Sequence, residues 1–422
     1  MSSTASAKLP PASDQPKTLW DSILTSTPVV LTVIATLLAG LSSSEMTRAQ
    51  YHRSLAAQHQ SKAGDQWSFF QAKRIRGGNT EMGVDLLRAQ HALVPVTADA
   101  IAEYAARLSA DLNRVANVAE RLLKTLDAAK VSAGDASLRS AVEKLIQVAR
   151  RNAEEAQTLQ QQIAAALSQA DVRESLSYLN TDELPKVETM PVGGERIEEA
   201  RRAILARKTE AETASLMATI SDNELRTALD TAEANAHAFE EKGKPADKGL
   251  AVLARLIQEG ATLSATVHRL AERAMLAVAE AAAAGENADV RTASAGNAAN
   301  GLRSAATALE RTDAALMKTS AEMQQSFLAA RRDFTARRYE REARDNQTIA
   351  GVFEIQVRKS SWDSERHRNR SQHFFLGMLL AQAGVTIATF ALALRQRSVL
   401  WVLATVAGLA AIAFSAYVYL YT

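Results

Sequence analysis

Histidines flank two of the chain's apolar segments. His52 and His59 follow the first, Ile23 to Ser43; His367 and His373 precede the second, Phe374 to Leu394. Histidine changes charge near neutral pH and is a frequent metal ligand. Neither pair has the i, i+4 spacing of a helical metal site, and no carboxylate is placed as an obvious third ligand. They read as unrelated interfacial histidines, although antiparallel helices would bring His52 and His367 to similar heights above a bilayer. The basic stretch Arg331, Arg332, Arg337, Arg338, Arg341, Arg344 is interleaved with Asp333, Glu340, Glu342 and Asp345. It reads as a solvated helix face with i, i+4 ion pairs. Gly243-Lys244-Pro245 lacks the spacing and the Ser/Thr of a phosphate loop. With no Cys there is no thiolate nucleophile, thiolate metal site or disulfide. No Ser/His/Asp set or carboxylate pair stands out, so the expectation is a protein that is not an enzyme and takes no cofactor.

The elements that would position these residues are helical. Only 18 Gly and 8 Pro punctuate 422 residues, and Ala, Leu, Arg, Glu and Gln, all strong helix formers, dominate the rest. Alternating β-branched runs are absent. The net charge of +2 argues against nucleic acid as a partner. Phe374–Leu394 and Val399–Leu420 carry no charge, and each is about the 20 residues needed to cross ~30 Å of hydrocarbon. Trp401, Tyr417, Tyr419 and Tyr421 sit near the two ends of the last segment, as in an interfacial belt. The linker Arg395-Gln396-Arg397-Ser398 permits only an antiparallel hairpin. The first apolar segment, with its core Val29–Leu41, reads as a retained anchor rather than a cleaved signal. The tail 1–22 is polar, 23–43 is the first span, and 44–96 is a membrane-proximal stalk. The insert is 97–338, a returning stalk 339–373, and 374–394 and 399–420 complete the spans.

The insert predicts a helical bundle or coiled coil. Ile101, Leu108, Val115, Leu122 and Ala105, Leu112, Ala119, Leu126 form an a/d seam. A second runs Leu138, Val142, Leu145, Ala149, Ala156, Leu159, Ile163, Leu167, with Asn152 at a core position. A looser third passes through Ile197, Ile204, Ala211, Ala218 and Leu225. A fourth uses Leu253, Leu256, Leu263, Val267, Leu270, Ala274 and Ala277. The fifth uses Leu302, Leu309, Leu316, Met323, Phe327 and Phe334. Turn chemistry places breaks at Val131–Asp135, Thr181–Glu195, Gly243–Lys248 and Gly285–Gly301. Gly64 and Gly77-Gly78 are expected to interrupt the first stalk.

The most distinctive string is Asp65-Gln66-Trp67-Ser68-Phe69-Phe70-Gln71-Ala72-Lys73-Arg74-Ile75-Arg76. It resembles the Asp-Gln-Trp-Ala-Tyr-Tyr-Gln-Ala-Lys signature of a bacterial family catalogued as domain of unknown function 4337. Ser68, Phe69 and Phe70 depart conservatively from it. The family's layout is similar too: one N-terminal span, a helical insert and a C-terminal two-span hairpin. The resemblance covers Ile23–Met82 and Tyr339–Leu420, and the insert Thr97–Arg338 is longer than the family's usual one. It implies an architecture and no activity. Trp67 and Phe70 share one helix face, with Lys73 or Arg74 a turn further on. Asp65, Gln66, Trp67, Phe70, Lys73 and Arg74 are therefore the candidates for packing or interaction, with Trp67 expected to weigh most.

These features lead to an all-α, multi-pass protein of a bacterial inner membrane, with three transmembrane helices and a helical-bundle insert. The short basic turn Arg395/Arg397 and the tail lysines Lys8 and Lys17 favour a periplasmic insert, against the basic flanks Arg48, Arg53 and Lys62 and Arg358, Lys359, Arg366, Arg368 and Arg370, which favour a cytoplasmic one; the reading leans to the periplasm. The expected partners are membrane lipid and either a second copy of the chain or another protein. The expected role is scaffold, tether or sensor input. The rival is a homo-oligomeric channel or transport accessory, for which Gln382, Thr386 and Thr389 at i, i+4, i+7 are the nearest pore-lining stripe.

Overall fold

Helix formers with few breakers produce long helices, and some are much longer than the sequence suggests. The computed structural model describes residues 19–128, 136–181, 183–287, 293–394 and 397–421. Among the described residues there are nine helices and no strand: α1 (Leu19–Gln90), α2 (Ala98–Ala128), α3 (Ala136–Ser168), α4 (Ala170–Asn180), α5 (Glu195–Leu205), α6 (Glu210–Thr219), α7 (Asp222–Asn287), α8 (Ala293–Ala393) and α9 (Arg397–Tyr421). They form two compact units. Unit 1 is Met1–Asp65, Gly193–Leu229 and Ala350–Thr422; unit 2 is Gln66–Val192 and Asp230–Ile349. Helices α1, α7 and α8 contribute to both.

Unit 2 is organised by large apolar side chains. The first, second and fifth seams turn inward: Ile101, Leu112, Val115, Leu122, Leu145, Ile163, Leu309 and Phe334 are all buried. They join Leu253, Leu256 and Val267 of α7 in one cluster. Burying a Leu or Ile fully is worth about 1.5–3 kcal/mol. Gly260 lets α7 approach closely: a Cβ there would lie 2.5 Å from the Tyr104 hydroxyl and 3.0 Å from Leu108 Cδ2. Asn152 is satisfied, its Nδ2 donating to the Leu263 carbonyl at 3.0 Å. Arg337 caps the end of α4 by donating to the carbonyls of Tyr178 (3.1 Å), Thr181 (2.9 Å) and Glu183 (3.2 Å). That meets the orphan acceptors every helix C-terminus leaves.

In unit 1, parts of α1, α8 and α9 are long and apolar enough to cross a membrane. They pack through small residues. Ala381, Ala388, Ala404 and Ala411 are fully buried, beside Leu31, Leu38, Phe374 and Trp401. Val29, Leu37, Phe390 and Leu409 point outward. Small residues at the contact allow helix backbones to close up where lipid offers no hydrophobic driving force between helices.

The structure departs from the sequence expectations at defined points. Gly64 and Gly77-Gly78 do not interrupt α1, and α7 passes through Pro245 without the expected break at Gly243–Lys248. Gly243 and Ala246 are buried there, and Phe239 lies inward under the Arg341 guanidinium at 5.6 Å. Packing along one face outweighs the local cost of the proline. The third seam does not exist as one helix, and Ala211 and Ala218 are exposed. It is cut into α5, α6 and the start of α7. Arg207, at φ 54°, ends α5. Thr209 with Glu212, and Ser221 with Glu224, then form two capping boxes. Both boxes are written in the sequence as Thr/Ser-x-x-Glu, a signal that apolar spacing overrode. Gly193 sits at φ 80° before α5, where a side chain would collide with Ile197. The expected break at Val131–Asp135, the tail residues Lys8 and Lys17, and Arg395 lie outside the described residues.

Candidate functional site

The inner face of α1 carries a heptad seam that apolar periodicity does not reveal. Its shielded positions alternate four and three. In unit 1 they are Leu31, Ala35, Leu38, Ser42, Glu45, Ala49, His52, Ala56, His59 and Ala63. In unit 2 the same register continues through Gln66, Phe70, Lys73, Gly77, Thr80, Val84 and Leu87. One line of the seam is small from Ala35 to Ala63, and the other is polar from Glu45 to Lys73. The readable signal was the small residue recurring every seventh position at Ala35, Ser42, Ala49, Ala56 and Ala63.

Within unit 1 this seam meets α8 in a polar layer at the end of the apolar segments. Ser42 Oγ donates to the Ser371 carbonyl at 2.9 Å, and Ser371 Oγ returns a bond to the Ser42 carbonyl at 2.8 Å. One turn on, His367 Nδ1 lies 2.5 Å from Glu45 Oε2. The His52 ring stacks on His367 with centroids 5.4 Å apart and planes at 12°. Arg48 reaches Glu45 at 3.3 Å, and Ser364 Oγ donates to the Ala49 carbonyl at 2.8 Å. Next come His59, 6.2 Å from the Phe353 ring, and Lys62, whose ammonium lies 5.7 Å from the same ring. Burial, then the charge of Lys62, pushes the His59 imidazole below its ordinary pKa, against a weaker pull from Asp222.

The histidines are therefore not all unrelated. The structure joins His52 to His367 and adds Glu45, a carboxylate the sequence did not single out. His373 goes elsewhere: its Nδ1 lies 2.6 Å from the Asn369 carbonyl and its ring 5.8 Å from Phe414. Among the described residues no group of three His, Cys, Asp or Glu is arranged to hold a metal. What this layer offers is a carboxylate–imidazole contact with a second imidazole stacked on it, set in a seam of small residues.

The motif residues are mainly packing groups. Within unit 2, Trp67 and Phe70 meet edge to face at 5.4 Å and 88°, and the Arg74 guanidinium sits 6.0 Å from the Phe70 ring. Lys73 pairs with Glu342 at 3.0 Å. Gln66, Trp67 and Phe70 are half-buried, while Arg74 and, in unit 1, Asp65 are exposed. The basic stretch forms ion pairs along α8: Arg337 with Asp333 (3.0 Å), Arg338 with Glu342 (3.2 Å), Arg341 with Asp345 (3.3 Å) and Arg344 with Glu340 (2.5 Å). Unit 2 also holds a pair that sequence reasoning missed. His268 Nδ1 lies 2.6 Å from Asp313 Oδ2, and Asp313 is 3 % exposed. Burial raises the Asp313 carboxyl pKa, and the His268 contact works against the rise.

Residues 20–176 match the family model described as Domain of unknown function (DUF4337). The match takes in the first apolar helix and the Asp65–Arg76 string that carried the resemblance. It also runs through α2, α3 and most of α4, further into the insert than the Ile23–Met82 stretch read from the sequence. No curated protein and no solved structure matches the chain.

Proposed function

We propose that this chain is a non-enzymatic, multi-pass protein of a bacterial inner membrane that works by protein–protein contact, as a scaffold, tether or sensor input. The observation that carries the reading is the polar layer in the α1–α8 seam of unit 1. A helix pair meant only to hold together would fill those positions with apolar side chains. Here Glu45, His52 and His367 occupy them directly beside the apolar segments. Of the three roles, a sensor input draws most support, because a carboxylate and two imidazoles meet in a seam otherwise closed by small residues. The short basic turn at Arg395 and Arg397 favours a periplasmic insert. The rival, a homo-oligomeric channel or transport accessory, would need Gln382, Thr386 and Thr389 to line a path. These three are exposed on the single chain, so only several associated chains could enclose a path along them.

The test uses the full chain in lipid nanodiscs, with nitroxides on cysteines replacing the exposed Gln50 and Gln372; the natural chain has no Cys. The inter-label distance distribution should widen between pH 7.5 and 5.5, and His52→Gln should suppress the widening. An identical distribution at both pH values removes the sensor-input reading.

A further inference from the structure

The apolar helices treat their polar side chains in two ways. Thr32, Thr36, Thr386, Thr389, Thr405 and Ser415 each donate the hydroxyl to the carbonyl four residues back. Such a side chain satisfies its donor within its own helix and tolerates lipid. Gln382 does not. It is exposed, and among the described residues its carboxamide makes no hydrogen bond. It follows Phe374, the start of the apolar stretch, by two turns of α8, a rise of roughly 12 Å at 1.5 Å per residue. In hydrocarbon ~30 Å thick that is close to the midplane. A carboxamide there has no water, and leaving its donors and acceptor unmet is costly.

We infer that the face of α8 bearing Gln382, Thr386 and Thr389 is a self-association surface, and that its occupant is the same face of a second copy of this chain. The choice of occupant follows from the chemistry. A carboxamide carries both a donor and an acceptor, so it is complementary to itself across a two-fold axis. A lipid tail offers neither group. The flanking residues on this face suit a close approach: Thr386 and Thr389 are short, and their hydroxyls are already engaged. Leu379 and Phe375, both exposed, continue the face toward the polar layer and supply apolar contact. The core of unit 1 stays intact in such a pair, because Ala381, Ala388 and Ala391 point the other way, into the helices of their own chain.

The inference rests on α8 spanning a bilayer, and the experiment separates the two. Full-length chains carrying Gln382→Cys or Leu376→Cys are expressed in membranes and oxidised. Leu376 is also exposed but lies on a different side of α8. The first variant should give a covalent dimer several-fold above the second. In nanodiscs or vesicles, single-molecule counting should show Gln382→Leu weakening self-association roughly tenfold, the scale of one interhelical polar contact in lipid, with Gln382→Asn retaining it. Carbonate extraction of the same membranes reads the spanning of the bilayer independently. Chain that stays in the membrane yet cross-links equally at 376 and 382, or a Gln382→Leu variant that associates like wild type, overturns the inference alone. Chain that carbonate extracts overturns the membrane reading and the inference with it.

Discussion

The two units hold their helices together by opposite means. Unit 2 buries Leu, Ile, Val and Phe along the seams of α2, α3, α7 and α8, with Ala between them. In unit 1, outside the apolar segments, α1 gives α8 a line of Ala and a line of ionisable groups. A large apolar core draws its stability mainly from buried area, although unit 2 also buries Asp313 beside His268. A small and polar seam buries little per layer, so its closure rests on hydrogen bonds and charge state. We expect unit 2 to be the more rigid and the α1–α8 seam of unit 1 the more readily opened. Stability is therefore best read locally, by hydrogen exchange, and not as a single unfolding free energy.

The largest expected effect lies in unit 2. Leu112→Ala, at a position of zero exposure, should cost about 2–5 kcal/mol. Hydrogen exchange should speed up across α2 and α3. A cost near zero would show that the core does not hold unit 2, and the comparison would fail. Gly260→Ala should cost about 1–3 kcal/mol through overpacking, because the added methyl meets the Tyr104 hydroxyl; thermal melting of the full chain reads it. A stabilised variant would mean that the close approach of α7 is not tight.

Smaller effects sharpen the contrast. Trp67→Ala should cost about 1 kcal/mol, the scale of one edge-to-face aromatic pair. Trp67 is half-buried and Phe334 fully buried, so Phe334→Ala should cost more on thermal melting. A larger loss on truncating Trp67 would mean that its contacts outweigh its exposure. The smallest effect is pH-linked. Burial lowers the His59 pKa from its ordinary 6.5, so the unfolded chain takes the proton first. The stability contribution is present above about 6.5 and is lost as pH falls from there toward the folded value. Exchange in the α1–α8 seam of unit 1, corrected for intrinsic rates, should quicken below that pH, and His59→Gln should blunt the change. Equal protection in the variant and the natural chain at both ends of the window would rule out His59 as a contributor.

The sequence by itself determined the helical class, the apolar segments and the leucine-rich seams. Each of these is a local pattern: length of apolar run, heptad spacing of large side chains, scarcity of Gly and Pro. Asn152, read as a core polar position, sits in the core with its partner in α7. Other features required the tertiary structure. That α7 runs through Pro245 depends on the face it buries, and that Gly77 lies inside a helix depends on Ala336 and Tyr339 close beside it. The meeting of Glu45, His52 and His367 was invisible because hydrogen bonds between residues more than three hundred positions apart leave no trace in local periodicity. The outward turn of Gln382 was undecided for a related reason. A helix offers every side of itself equally until its neighbours choose one, and here the small residues of α8 settled which side they took.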